Sequence, residues 1–378
     1  MFEFSDEHEE LRRTVRAFLE KESDETRVRE LMASERGFDP ATWQRMAEEL
    51  GLTSLIVPEA HDGAGFGMVE LAIVMEEMGR VLLCSPFLSS AVLATSALVL
   101  AADEAAQAEL LPRLACGELR ATLAFSETPA PWELSAIEMR AAAAAEGFTL
   151  DGEKTFVLDG LSAELILVVA RVGEETTLFR VEADAPGLTR EALPPFDPTR
   201  KLARLSFDGT PAQRIASGDA SEGIERALER GVAALAAEQV GGAQRCLDMA
   251  IEYAKTRIQF GRPIGSYQAI KHQCADLLVD VELAKSAAYN AAYNADFAAE
   301  ESDESAGIAA AMAKSFCSEA YWRIAKRNLQ IHGGMGFTWE HPAHLYLKRA
   351  KGSQLLLGAP GRHRARLAAT VGIGRAAS

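Results

Sequence analysis

Between residues 118 and 212 the chain changes its hydrophobic period, and that change limits what it can fold into. Before the change, apolar residues recur at helical spacing: Leu11, Val15, Phe18 and Leu19 follow Ser5, a good N-cap ahead of acidic residues. Further helical stretches run over Pro40 to Leu50, Val69 to Leu83 and Pro86 to Leu114, punctuated by Gly51, Gly63, Gly65, Gly67 and Pro112. Within the window, β-prone runs take over at 122–125, 148–150, 165–172, 177–181 and 202–207. Asp151-Gly152 and Asp208-Gly209 read as turns between them, and the alanine run Ala141 to Ala145 as a connection. From about Ser221 an alanine-rich, charge-dotted pattern predicts long helices over 221–256, 267–299, 303–332 and 341–369. The order helical, β, helical predicts an α+β chain of three domains, 1–117, 118–212 and 221–372.

Two segments of the last block carry chemistry. The first is Arg257-Ile258-Gln259-Phe260-Gly261-Arg262-Pro263-Ile264, followed by Tyr267-Gln268; the second is Gln330-Ile331-His332-Gly333-Gly334-Met335-Gly336-Phe337-Thr338. A dinucleotide pyrophosphate needs a planar cation, which Arg257 supplies, and unobstructed backbone N–H groups, which Gly333 and Gly334 supply. In order and spacing the pair resembles the acyl-CoA dehydrogenases. The resemblance implies a helical N-terminal domain, a central small β-barrel or sandwich and a C-terminal four-helix bundle. It implies FAD as cofactor, an acyl-CoA substrate and a tetramer. It also implies that Arg257, Phe260, Gly261, Gln268, Gln330, Gly333 and Gly334 reach across a subunit boundary to the pyrophosphate and adenine end of a neighbour's FAD.

The departures from that family are as informative as the matches. Desaturating an acyl-CoA removes an α-proton as a β-hydride leaves for flavin N5, so a carboxylate must lie within hydrogen-bonding reach of the substrate. Most of the family carries it as a glutamate before a glycine in the last long helix region; the matching stretch here is Gln354-Leu355-Leu356-Leu357-Gly358-Ala359. Leu357 cannot accept a proton. A minority places the glutamate where this chain, counted back from Gln244-Arg245-Cys246-Leu247-Asp248, has Gly231. Glu229 lies two residues away, about 200° around a helix, and is the fallback candidate for a base, with Glu225 beyond it. Glu238 reads as a partnered helix carboxylate.

The β window departs in the same sense. Where the family has threonine-glutamate-proline and a glycine loop that cradles the isoalloxazine, this chain reads Ser126-Glu127-Thr128-Pro129-Ala130-Pro131-Trp132-Glu133. Ser126 is retained as a cofactor contact. The family's tryptophan-isoleucine-threonine run is replaced by Phe156-Val157-Leu158, and Leu158 cannot donate the threonine's hydrogen bond. Residues offered to a neighbour's FAD are kept, and residues that would hold the chain's own flavin ring are lost. That sorting resembles the non-catalytic subunit of heteromeric acyl-CoA dehydrogenases of steroid-degrading bacteria. The expected partner in an α₂β₂ assembly is a second acyl-CoA dehydrogenase chain bearing the glutamate, with electron-transfer flavoprotein as acceptor. The rivals are a self-sufficient homotetramer using Glu229 and a flavin-free scaffold of the same fold.

Several features exclude other classes. A net charge of −16 opposes binding to nucleic acid or anionic lipid. Cys84, Cys116, Cys246, Cys274 and Cys317 are scattered without metal or disulfide spacing, which fits the cytoplasm, and no apolar run is long enough for a membrane helix. The cluster His61-Asp62-Gly63-Ala64-Gly65-Phe66-Gly67 lacks the βαβ context of a nucleotide-binding loop and reads as an inter-helix turn. His332, His341 and His344 invite a metal reading, but the flavin turn and an ordinary helix start explain them, so no metal is expected. Arg362, His363, Arg364 and Arg366 read as a solvated helix end.

Overall fold

Ser5 begins the first helix as its sequence position predicts. Its hydroxyl accepts from the His8 N–H at 3.2 Å, and His8 Nδ1 accepts from the Ser5 N–H at 3.2 Å, so two orphan donors are satisfied reciprocally. In a computed structural model of the protein, residues 4–129, 132–297 and 305–373 are described. Ala130 and Pro131 of the altered β loop, and the helix ends expected around residue 300, lie outside them.

Helix α1 (Asp6–Glu22) is followed by α2 (Glu25–Ala33), which the apolar pattern did not predict, then α3 (Pro40–Glu48) and α4 (Met68–Arg80). The stretch expected as one helix from Pro86 is three pieces: a π-helical run Phe87–Ala94, α5 (Thr95–Ala101) and α6 (Glu104–Ala115). The last break occurs where Asp103 Oδ1 accepts from the Ala106 N–H at 2.9 Å and caps α6. The glycine cluster is an irregular turn after a short 3₁₀ segment, with Asp62 at φ 60°. A Cβ on Gly63 would lie 1.9 Å from the Val57 carbonyl oxygen, so that glycine serves packing.

The strands are β1 (Ala121–Ala124), β2 (Arg140–Ala143), β3 (Phe148–Leu158), β4 (Leu165–Val172), β5 (Glu175–Glu182), β6 (Leu188–Leu193) and β7 (Leu202–Arg214). Their pairings close a ring, β4 to β2, β3, β7, β5 and back to β4, while β1 joins β4 in parallel and β6 joins β7. The barrel encloses Leu150, Ile166, Val168, Phe179, Leu205 and Phe207. The two Asp-Gly pairs are not turns. Leu150 faces Thr210 and Gly152 faces Phe207, so Asp151 opposes both Asp208 and Gly209 in a β-bulge, with Gly209 at φ 59° and its N–H donating to Asp151 Oδ1 at 2.8 Å. Asp-Gly favours the left-handed backbone that a bulge needs as much as a hairpin does. The alanine run is strand β2 rather than a connection.

The helices after the barrel are α7 (Ser221–Thr256), α8 (Gln268–Phe297), α9 (Ser305–His332), α10 (Ala343–Leu355) and α11 (Pro360–Thr370), with a two-strand hairpin β8 (Ile258–Gln259) and β9 (Arg262–Pro263). One helix was expected over 341–369. It breaks at 356–359 because Leu357 and Gly358 take φ of 55° and 100° and Pro360 has no N–H to continue a ladder.

The chain divides into two compact units: Met1–Arg29, Met68–Leu83 and Val232–Ser378 form one, Glu30–Gly67 and Cys84–Gly231 the other. In the first, α4 and α7 cross at backbone contact. A Cβ on Gly79 would lie 2.0 Å from the Glu238 carbonyl oxygen, and one on Gly241 1.8 Å from that of Glu76. Among the described residues no helix is long and apolar enough to cross a membrane.

Candidate functional site

The two motif segments lie in the first unit and face outward. Arg257, Phe260, Gly261, Gln268, Gln330, Gly333 and Gly334 are all exposed, Phe260 to 92 %. Phe260 and Gly261 form the two-residue tip of the β8–β9 hairpin, both at positive φ (53° and 79°), the pattern of a type I′ turn. The Arg262 guanidinium sits over the Tyr267 ring at 4.1 Å and stiffens the hairpin base. Gly333 (φ 61°) and Gly334 begin a 3₁₀ turn, Gly333–Phe337, at the end of α9; a Cβ on either would meet nothing within 4 Å, so the space beside their backbone is open to a ligand.

Neither position that the resemblance gives for the base holds a carboxylate. Leu357 is 5 % exposed, and its carbonyl accepts from His363 Nε2 at 3.0 Å; burial pushes that imidazole down to about 4. Lys314, fully buried, donates to the carbonyls of Ser353 at 2.8 Å and Gln354 at 3.2 Å, so the loop is fastened at both ends. Gly231 is buried on α7, and Glu229 is half-buried in the same helix. Glu238 is the partnered carboxylate its setting predicts, with Arg349 Nη1 2.8 Å from its Oε1.

Ser126 belongs to the second unit, at the end of β1. It is buried, and its hydroxyl finds no hydrogen-bond partner among the described residues. Nearby, Trp132 packs between Phe125 (ring centroids 5.8 Å) and Phe156 (5.9 Å, stacked), and both Trp132 and Phe156 adopt positive φ (72° and 54°). Leu158 is buried, its carbonyl accepting from Thr122 Oγ1 at 2.6 Å. Beneath this face Lys154, fully buried, donates to Glu127, which also accepts from the Glu138 N–H at 2.8 Å. Burial lowers the Lys154 ammonium to about 8 against the pull of Glu127.

Comparison with known proteins places these features. Family models match residues 5–118 as an acyl-CoA dehydrogenase N-terminal domain and 222–372 as an acyl-CoA dehydrogenase C-terminal domain. The acyl-CoA dehydrogenase IpdE2 of Mycolicibacterium smegmatis is 36% identical over 367 residues, 97% of this chain and 99% of the relative. The chain belongs to the acyl-CoA dehydrogenase family.

Among solved structures, a chain of the ChsE4-ChsE5 complex from Mycobacterium tuberculosis superposes with TM-score 0.88 at 28% identity, covering 100% of both chains. A chain of a Tcur3481-Tcur3483 steroid ACAD variant gives TM-score 0.87 at 30% identity, covering 97% of this chain and 98% of that one. The protein is thus an acyl-CoA dehydrogenase of the usual helical, β-barrel, helical fold, and enzymes of the family depend on FAD as hydride acceptor. The outward segments of this acyl-CoA dehydrogenase fit such a group: an exposed arginine and glycines with open space above them. On the β-barrel face Trp132 stacks on Phe156, in the stretch where the resemblance gives a glycine loop.

The other tempting clusters resolve into local structure. His332 Nδ1 donates to the Asn328 carbonyl at 2.8 Å, His344 Nε2 to the Trp339 carbonyl at 3.3 Å, and among the described residues no three His, Cys, Asp or Glu side chains are placed to hold a metal. In the basic tail, Arg364 pairs with Glu319 at 2.5 Å. Sequence reasoning missed Tyr253 and read His341 only as part of a helix start; both pack around His332 beside the glycine turn. The only available signal was ring-bearing residues four before Arg257 and at the start of α10.

Proposed function

We propose that this chain is the base-less subunit of a heteromeric acyl-CoA dehydrogenase, with domains at 1–117, 118–212 and 221–372. Its Arg257, Phe260, Gly261, Gln268, Gln330, Gly333 and Gly334 complete the FAD site of a second acyl-CoA dehydrogenase chain, which brings the catalytic glutamate. Ser126 is the remaining contact of the chain's own β face. The observation that carries this reading is the contrast between Leu357, buried and fastened at the base position, and seven cofactor residues that all face solvent. A carboxylate to take the α-proton is therefore required from elsewhere.

Likeness to a two-protein complex and to a steroid ACAD supports an α₂β₂ assembly acting on the CoA thioester of a steroid-derived acid. Electron-transfer flavoprotein is the expected acceptor, and five free cysteines suit a cytoplasmic protein. The test is the flavin absorbance of the chain purified alone and after co-expression with a glutamate-bearing dehydrogenase, followed by anaerobic addition of acyl-CoA. Colour and bleaching only in the pair support the reading. A yellow lone chain that bleaches, and loses bleaching as Glu229→Gln, replaces it with the self-sufficient enzyme; absence of flavin from every preparation points to the scaffold.

A further inference from the structure

A ladder of rings joins the two cofactor segments. Tyr253, on the last turn of α7, accepts the Arg257 N–H through its carbonyl at 2.8 Å and stacks on His332 with ring centroids 4.4 Å apart. His332 in turn meets His341 at 4.3 Å. Since His332 immediately precedes Gly333, one imidazole ties the end of α7 to the start of the glycine turn.

His341 also caps α10: its Nδ1 accepts from the Ala343 N–H at 3.2 Å. An imidazole nitrogen can accept only when it carries no proton. A proton on His341 would remove the cap, add positive charge at a helix N-terminus that is already the positive end of its dipole, and face a second imidazole. The other groups around His341 are Glu25 and Arg29 of α2, which oppose each other, and His344 of α10. His332 faces Tyr253 of α7 and the Asn328 carbonyl of α9; His344 lies near Lys348 and the Trp339 carbonyl. Burial holds all three imidazoles below their ordinary range.

We propose that His341 and His332 are positioning residues for the flavin: neutral, they keep the Gly333–Gly334 turn in register with the Arg257 turn, and protonation of His341 releases that register. The neutral form is the one built into the fold. The register is therefore complete above the ordinary histidine range near about pH 6.5 and is lost as the pH falls through the His341 value, which burial holds below that range. This rests on the assignment of Arg257, Gly333 and Gly334 to FAD.

The experiment measures flavin retained on ultrafiltration by the flavin-loaded assembly between about pH 5 and about pH 8. The wild type is expected to hold flavin at the upper end and lose it several-fold at the lower end. His341→Asn, which keeps an acceptor for the Ala343 N–H but does not titrate, is expected to flatten the curve. A His341→Asn curve superimposable on the wild type overturns the proposal. Arg257→Ala, measured at the upper pH, separates the two levels: retention unchanged there removes the assignment of these segments to FAD, and the proposal with it.

Discussion

The buried pair Glu238–Arg349 gives the sharpest test of which carboxylate is structural. Both side chains are within 5 % of full burial, Nη1 lies 2.8 Å from Oε1, and Arg349 Nη2 also donates to the Leu83 carbonyl at 3.2 Å. Arg349→Met takes the guanidinium away from a charged, buried carboxylate, which costs about 3–5 kcal/mol. With a urea m-value of about 3 kcal/mol/M, the unfolding midpoint falls by about 1–1.7 M. Glu238→Gln keeps an oxygen for the guanidinium and costs less. The double variant Glu238→Gln, Arg349→Met recovers part of the loss, so the cycle yields a coupling of about 1–3 kcal/mol. The assay is urea unfolding followed by far-UV circular dichroism on all four proteins. Additive losses would refute the pairing argument. If Glu238→Gln instead kept full stability but abolished substrate bleaching of the assembled enzyme, Glu238 would be a base and the structural reading wrong.

Three further outcomes follow from the same geometry. Leu357→Glu sets a carboxylate into a site that is 5 % exposed and held by His363, so the lone variant chain should still fail to bleach with acyl-CoA; bleaching restored by that single change would show that the chain holds its own flavin. Lys154 is lowered to about 8 by burial, so above that value the folded state gives up its proton before the unfolded chain does, and unfolding free energy should rise between about pH 8 and about pH 10.5, a rise that Lys154→Met should lack. Gly241→Ala drives a methyl group into the Glu76 carbonyl 1.8 Å away and should destabilise by about 1–3 kcal/mol in thermal melts, whereas Gly334→Ala, with nothing within 4 Å, should leave the melting temperature unchanged.

Much of this architecture is legible in residue order, and the failures share a physical cause. The window 165–172 matches β4 because a run of Leu, Ile and Val buried on both faces admits few alternatives. Helix α7 likewise starts and ends at the expected residues. Strand β2 was missed because alanine carries little β preference, and its pairing with β3 supplies what its composition lacks. Asp151-Gly152 and Asp208-Gly209 misled because a left-handed residue serves bulges and turns alike, and only the partner strand decides which. Residue order reads Leu357 at the base position by resemblance alone, and does not show that its backbone is left-handed and tied to His363, which depends on a helix that begins three residues later. Trp132 was legible as added bulk; its stacking on Phe156 was not.

The Phe260–Gly261 tip has a consequence for how much of this protein a cell can keep. A phenylalanine 92 % exposed, with Ile258 at 60 % and Phe337 at 78 % on the same two segments, forgoes about 1.5–3 kcal/mol of burial for each large apolar side chain left in water. In the proposed assembly, a surplus copy without its neighbour to cover those tips is expected to be a substrate for quality control and a seed for aggregation. Steady-state abundance should therefore follow synthesis of whatever covers them, so that raising the expression of this chain alone yields turnover or inclusion bodies and matched expression yields soluble protein.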